Sequence, residues 1–146
     1  MLLYGAATAQ FSSVVPEAQQ LYKGGVVLAI PTALLRRFYL ENSLKNNGNG
    51  LEFRLANRIA PTTIVSLGPI EIDGELFAPD QIMVSASKKR LASTIHEQSP
   101  FFLRMGKKMT LSVPGKCVEP GEHQVIVHAV TKEVGPVSIE FEDTVP

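Results

Sequence analysis

The sequence predicts a mostly β protein: an antiparallel β-sandwich, immunoglobulin-like or jelly-roll-like, with one short N-terminal amphipathic helix. Three observations support this prediction. From Leu40 onward, apolar and polar residues alternate with the period of two that a half-buried strand shows. Pairs such as Asn47-Gly48 and Asp73-Gly74 separate these runs with turns. The strand–helix alternation of a parallel sheet is absent, and short strands with frequent turns are typical of sandwiches and barrels.

The composition indicates one folded domain without a strongly charged face. A chain of 146 residues, 45% hydrophobic and 19% charged, is long and apolar enough to bury its own core. Its 14 basic and 14 acidic residues cancel, whereas nucleic-acid binding requires a positive face. We therefore expect no nucleic-acid partner. Pro31 interrupts the apolar run before Arg36-Arg37, so we expect no membrane span. We predict an N-terminal arm over residues 1–28 and one cytoplasmic β-sandwich domain over 29–146.

The segment "IPTALLRRFYL" predicts the short helix. Pro31 suits a first helical turn, because its missing N–H group has no partner there in any case. Leu34, Leu35 and Phe38 share one face, while the two arginines point elsewhere. The apolar face packs on a sheet or on a partner, so these three residues are interface candidates.

Strands occupy the rest of the chain. "LKNNGNGLEF" predicts a hairpin turn, and "TTIVSLGPIEIDGELF" predicts a strand with a short return, in which Pro69 lies at an edge or bulge because it cannot donate to the ladder. "DQIMVSAS" is a short strand, and "KKRLASTIHEQSP" is a polar connection. Turns at Pro120-Gly121 and Gly135-Pro136 precede the last two strands. The strand in "FFLRMGKKMTLSV" carries on one face Met109, Leu111 and Val113.

Histidines and acids are the candidates for chemistry. His123 and His128 lie five residues apart on one strand and so on opposite faces, which prevents them from sharing one metal ion. We expect His123 to be exposed and His128 to lie at the margin of the core with one hydrogen bond. The sequence "HEQSP" begins like a zinc-protease motif, but Pro100 takes the place of the second ligand. We expect no metal site and no cofactor.

Three carboxylates near the Asp73-Gly74 turn, those of Glu71, Asp73 and Glu75, are predicted to project from one face. They either bind a hard cation, act as an acid/base pair, or solvate the outside of a hairpin. The weak catalytic candidates are Glu71, Asp73, His96 and His128.

Phe101 and Phe102 are adjacent on a strand, so one faces the core and the other faces outward. An outward aromatic beside Arg104 contacts a partner or a second covering layer, and these three residues complete the interface candidates. The single cysteine, Cys117, excludes an internal disulfide, and we expect it half-buried at a strand end.

A resemblance to a known family extends from Ser43 to Val145. It is carried by "GLEFRLANRIAPTTIVSLGPIEIDGELFAPDQI", "FFLRMGKKMTLSVPGKCVEPGEHQVIVHAV" and "GPVSIEFEDTV". In this order the segments resemble the small β-subunit family of bacterial C-glycoside deglycosidases. The resemblance implies a β-sandwich accessory subunit that docks on a metal-dependent TIM-barrel subunit, which supplies the metal and most of the catalytic groups.

A second resemblance lies in "IPTALLRRFYLENSLKNNGNGLEFRLAN", Ile30 to Asn57. This opening is similar to that of short proteins labelled hydroxymethylglutaryl-CoA reductase. The reductase itself needs a nucleotide-binding fold and a catalytic Lys/Glu/Asp/His set over a far longer chain, so this resemblance implies a family label and no reductase mechanism.

We therefore predict a non-catalytic β-sandwich subunit or interaction module. It forms a homo-oligomer, or a hetero-oligomer with a larger enzyme subunit. One alternative is a stand-alone lyase or hydrolase that acts on a sugar-like ligand. A carbohydrate-binding module is disfavoured, because the chain has no tryptophan.

Overall fold

The computed structural model describes residues 18–23 and 26–146, and it confirms the predicted fold class: a mostly β chain with two antiparallel sheets and one short helix. A two-stranded ribbon comes first, formed by β1 (Ala18–Lys23) and β2 (Val26–Pro31). Helix α1 (Thr32–Arg36) follows at once, where the sequence predicts it.

The predicted arm overlaps this ribbon. Residues 1–17 and 24–25 of the arm lie outside the described residues. The predicted boundary at residue 29 falls within β2. The division into an arm and a domain stays a prediction.

The first sheet has five strands in the order β3-β4-β10-β7-β8. Their bounds are β3 (Lys45–Asn46), β4 (Gly50–Ala56), β7 (Met83–Ser85), β8 (Lys89–Leu91) and β10 (Lys108–Pro114). Buried and more exposed residues alternate along β10, as the period of two predicts. Its core-facing residues are the three predicted ones, Met109, Leu111 and Val113.

The second sheet has the order β12-β11-β5-β6, and β9 pairs with the other end of β5. The bounds are β5 (Thr62–Ile72), β6 (Glu75–Phe77), β9 (Phe101–Leu103), β11 (Gly121–Thr131) and β12 (Gly135–Val145). The β5–β11 register shifts between Val127 and Ala129, opposite Gly68 and Pro69. Pro69 therefore lies at a bulge, as predicted.

The core lies between the two sheets as one cluster of buried apolar side chains. Phe53 of the first sheet and Phe141 of the second meet with ring centroids 5.3 Å apart and an interplanar angle of 63°, an edge-to-face contact. Burying a side chain of this size contributes about 1.5–3 kcal/mol. The alternation in sequence thus becomes a two-layer core.

The polar connection predicted over residues 88–100 has more structure than expected. It contains β8 and a 3-10 helix, Ala92–Thr94, while another 3-10 helix, Pro79–Gln81, follows β6. The Arg90 guanidinium donates to the carbonyl oxygens of Thr94 (2.7 Å) and Ser99 (2.9 Å), which holds the segment together. Cys117 is exposed in the β10–β11 connection, so the expectation of a half-buried thiol is wrong.

The segment after α1, residues 37–44, closes one side of the sandwich and is here called the closing segment. The N–H of Ala56 donates to the carbonyl of Phe38, and the N–H of Leu40 donates to that of Arg54, so the segment runs along β4. The same segment reaches β12 through a ring stack described below. Among the described residues, no helix combines the length and apolarity needed to cross a lipid bilayer.

Candidate functional site

The second sheet turns one face to the core and the other outward, and two catalytic candidates meet on the outward face. Glu71 of β5 lies directly opposite Ile126 of β11, between two buried isoleucines that point inward. His128 lies opposite Ser138 of β12. Since directly opposed residues share a face of a sheet, Glu71, His128 and Ser138 are neighbours on the outer side.

These three side chains form a hydrogen-bonded chain. The Nε2 atom of His128 lies 2.8 Å from Oε2 of Glu71, and its Nδ1 lies 2.8 Å from Oγ of Ser138. A carboxylate only accepts, so in the neutral ring Nε2–H donates to Glu71 and Nδ1 accepts the hydroxyl proton. His128 is thus partly buried as expected, but it has two partners rather than one.

The order carboxylate, imidazole, hydroxyl is the one that activates a serine nucleophile. Acyl transfer also requires N–H donors aimed at the developing oxyanion. The backbone N–H groups around Ser138 belong to a strand, so they lie in the plane of the sheet and not above it. Two cavities among the described residues are lined by other groups. The hydrogen bonds of Glu71 and Ser138 therefore fix the His128 imidazole on an open surface. Such a surface suits binding better than acyl transfer.

A separate pair forms at the end of the sandwich, on the other face of β11. The Nδ1 atom of His123 lies 2.5 Å from Oδ2 of Asp73, and its Nε2 lies 2.6 Å from the carbonyl oxygen of Glu119. Both partners accept, so both ring nitrogens have to donate, and the Asp73 carboxylate raises the pKa of His123. The N–H of Gln124 and then His123 lower the pKa of Asp73.

This placement decides two predictions. The two histidines lie on opposite faces, as the spacing of five predicts. The expectation that His123 is exposed is wrong, because its side chain is only 14% exposed beneath Asp73.

The three acids around the turn do not converge. Glu71 binds His128, Asp73 binds His123, and Glu75 binds Lys116 with 2.9 Å between Oε1 and Nζ. Asp73 has φ of 51°, which ends the strand alternation on which a common face depends. Within the described residues, no group of three His, Cys, Asp or Glu side chains is arranged to hold a metal ion.

His96 lies apart from this group in an exposed turn. Its Nδ1 accepts the N–H of Gln98 at 3.2 Å. The contact is local, between residues two positions apart, and gives His96 no link to the other candidates.

The interface candidates divide by exposure. Leu35 is in the core at 4% exposed, while Leu34 and Phe38 are half-buried. Phe101 packs against the core and Phe102 is 68% exposed, so the predicted inward and outward pair is confirmed. Arg104 is exposed two residues later. The assignment of these residues to an interface stays a prediction.

Another polar cluster, centred on Tyr39, is not predicted from the sequence. The Tyr39 ring stacks on Phe141 with centroids 3.6 Å apart and an interplanar angle of 8°. Its hydroxyl donates to Oδ2 of Asp143 at 2.5 Å and accepts the N–H of Leu44 at 3.1 Å. Burial and the Asp143 carboxylate raise the pKa of Tyr39 to about 12. Tyr39 thereby joins the closing segment to the second sheet.

Comparison with known proteins gives one family match. The family described as "Hydroxymethylglutaryl-CoA reductase, N-terminal domain" matches residues 34–146. No curated protein matches. Among solved structures, the chain is similar to one from a structural analysis of glycolipid glycan hydrolysis by a family 123 glycoside hydrolase from Clostridium perfringens, with 14% identity and a TM-score of 0.29. That match covers 66% of this chain and 20% of the other, and so weak a likeness supports no argument about function.

Proposed function

Because the chain belongs to the family of hydroxymethylglutaryl-CoA reductase N-terminal domains, we propose that it is a non-catalytic β-sandwich module that assembles with a larger catalytic subunit. The family description names a domain of an enzyme and not a whole enzyme. The doubly wound parallel sheet is a common fold for binding nicotinamide cofactors, and the described β-sandwich is a different architecture.

The observation that carries the proposal is the outward face of the second sheet, here called the docking face. It consists of Leu76, Phe102, Ile126 and Val130 around the chain of Glu71, His128 and Ser138. Register places Leu76 opposite Glu71, and Glu71 opposite Ile126, in one row across three strands.

Exposure on this face favours a partner. Phe102 is 68% exposed and Leu76 is 61% exposed on one side of β5, while Ile126 and Val130 on its other side are half-buried. Exposed aromatic and aliphatic groups gathered on one face are typical of contact surfaces. Glu71, His128 and Ser138 bind one another, so a partner that covers them leaves fewer of their polar atoms unpaired.

The partner is proposed to be a metal-dependent TIM-barrel subunit. The resemblance of residues 43–145 to the small β-subunit family of C-glycoside deglycosidases supports this choice. On this proposal the partner holds the metal and the reacting groups, and the present chain contributes stability and shape to the complex.

The test is to search the neighbouring genes for one that encodes a TIM-barrel subunit and to co-express it with this chain, followed by measurement of the complex mass and of Kd. We expect a complex of defined stoichiometry. A buried aromatic anchor contributes about 2 kcal/mol to an interface, so Phe102→Ser should weaken binding roughly 30-fold.

Leu91→Ser is the matched control, because Leu91 is a 37% exposed residue on β8 of the first sheet. It should leave Kd unchanged. Equal weakening by both substitutions, or unchanged binding by Phe102→Ser, would contradict the assignment of the docking face. A stable dimer of the isolated chain that Phe102→Ser dissociates would identify a second copy as the partner instead.

A stand-alone enzyme acting on a sugar-like ligand is the second candidate, and the Glu71–His128–Ser138 chain is the observation that favours it. Glycosidase or esterase activity of the purified chain, lost in both His128→Gln and Ser138→Ala, would support this candidate. Activity equal in the parent and both variants would identify a contaminant.

A further inference from the structure

The cavity beside the closing segment has a composition that neither the docking face nor the proposed assembly explains. It has a volume of about 900 Å³ and lies between α1, the segment after it, and β12. Three guanidinium groups line it, those of Arg36, Arg37 and Arg58, and all three residues are exposed. This size suits a small molecule.

The backbone explains why the arginines meet. The N–H of Ala56 donates to the carbonyl of Phe38, and an isolated bridge pairs Tyr39 with Leu55. This pairing holds the end of α1 beside the end of β4, so Arg36 and Arg37 lie near Arg58, which follows β4 by two positions. Two arginines from one segment and one from the other therefore reach the same wall.

These guanidinium groups are largely without partners in the described part of the chain. Arg36 uses only Nε, which donates to the carbonyl oxygen of Glu140 at 3.2 Å. The described ion pairs involve none of the three arginines, although salt bridges are formed elsewhere on the surface. Most of their N–H donors are therefore free to bind a ligand.

Two of the four carboxylates that line the cavity accept hydrogen bonds from within the protein. Asp143 accepts the Tyr39 hydroxyl and the N–H groups of Asn42 and Thr144. Glu140 accepts the Gln124 amide. These hydrogen bonds occupy carboxylate oxygens of both acids without removing their charge.

We propose that this cavity binds a small molecule that bears a phosphate group, with the phosphate held by Arg36, Arg37 and Arg58. Guanidinium groups match phosphate oxygens two at a time, and a phosphate monoester offers three such oxygens where a carboxylate offers two. Glu41 and Glu142 line the same cavity and repel any anion, so the total repulsion is larger for a continuous polyanion such as a nucleic acid than for one phosphate group. The geometry therefore favours a single phosphate group.

The test uses the isolated chain and needs no partner, so its outcome is independent of the proposed assembly. Inorganic phosphate and acetate are each titrated at constant low ionic strength by calorimetry, and by amide chemical shifts in ¹⁵N-labelled protein. We expect saturable phosphate binding, with shifts grouped at residues 36–42, 58 and 140–143, and weaker acetate binding.

The double variant Arg37→Gln/Arg58→Gln should bind phosphate at least about 10-fold more weakly, since it loses two charge-assisted contacts. Arg104→Gln is the matched control, because it removes one exposed guanidinium outside the cavity, and it should bind as the parent does. An unchanged amide spectrum outside the cavity confirms that the double variant is folded.

Three results would each overturn the proposal. The first is phosphate binding that does not saturate, and the second is acetate binding as tight as that of phosphate. The third is an equal loss of affinity in Arg104→Gln and in a folded double variant, which indicates screening by net charge alone.

Discussion

Replacing Tyr39 by phenylalanine tests the contact that closes the sandwich. The substitution keeps the ring that stacks on Phe141 and removes only the hydroxyl, which is the donor to Asp143 and the acceptor for Leu44. Tyr39 is 6% exposed and Leu44 is 1% exposed, so water cannot easily replace the lost partner. A hydrogen bond to a charged group is worth about 1.5–3 kcal/mol, and a buried N–H left unpaired costs a similar amount.

We expect Tyr39→Phe to lower the free energy of unfolding by about 2 kcal/mol. With an unfolding entropy of about 2.1 cal/mol/K per residue, that loss lowers Tm by roughly 6 °C for a chain of this length. Urea denaturation followed by circular dichroism measures the first quantity and calorimetry the second. Tyr39→Leu, which also removes the stack, should cost more.

The pKa of Tyr39 gives an independent reading of the same contact. Because the folded value is about 12 and the ordinary value is 10.0, the unfolded chain releases this proton first as the pH rises. Stability that depends on the protonated phenol is therefore complete below pH 10 and declines between pH 10 and 12. A Tyr39→Phe variant as stable as the parent, together with an unchanged pH dependence above 10, would refute the reasoning.

Three further predictions concern the fold. His123→Gln should lower the free energy of unfolding by up to about 1 kcal/mol at pH 5.5, and by less as the pH rises. The raised pKa of His123 gives stability that is complete below pH 6.5 and is lost as the pH rises through the folded pKa. Asp73→Asn, which tolerates the same φ, should abolish that pH dependence in urea titrations. Asn57→Ala should lower the free energy of unfolding, measured by denaturation, by about 3 kcal/mol. The side-chain amide of this 0% exposed residue donates to two backbone carbonyl oxygens, at 2.7 and 2.8 Å. A loss below about 1 kcal/mol would contradict that role. Gly50→Ala should lower the free energy of unfolding by about 3 kcal/mol, because a Cβ there lies 2.2 Å from a backbone oxygen. Gly48→Ala, with open space and φ of +91°, should lower it by about 1–2 kcal/mol. Equal losses in Tm would show that the close contact at Gly50 relaxes freely.

The sheets could be predicted from sequence because their signals are local. In β10 the alternation of Met109, Leu111 and Val113 is visible within seven residues, and each predicted turn is marked by two adjacent residues. Proline chemistry likewise predicts an edge or a bulge at Pro69 from one residue, and the structure has the bulge. The short strand β8 was missed because three residues are too few to show a period.

The polar clusters were harder to predict because their members are distant in sequence. Tyr39 and Asp143 lie 104 residues apart, and Glu71 and His128 lie 57 apart. Glu71 and His128 were both candidates, but only the β5–β11 register brings them together. Ser138 entered only through the β12 register, since a serine on a predicted strand carries no signal of its own.

The arrangement of these clusters indicates where function should be sought. Glu71, Asp73 and Asp143 each bind a donor within the fold, so their charges mainly maintain the sandwich. Features largely without such partners in the described residues include the exposed Phe102 on the docking face and the guanidinium groups beside α1. Because an exposed aromatic side chain and unpaired guanidinium groups contribute little to stability by themselves, they are the positions at which a protein partner and a phosphate-bearing ligand would contribute binding energy.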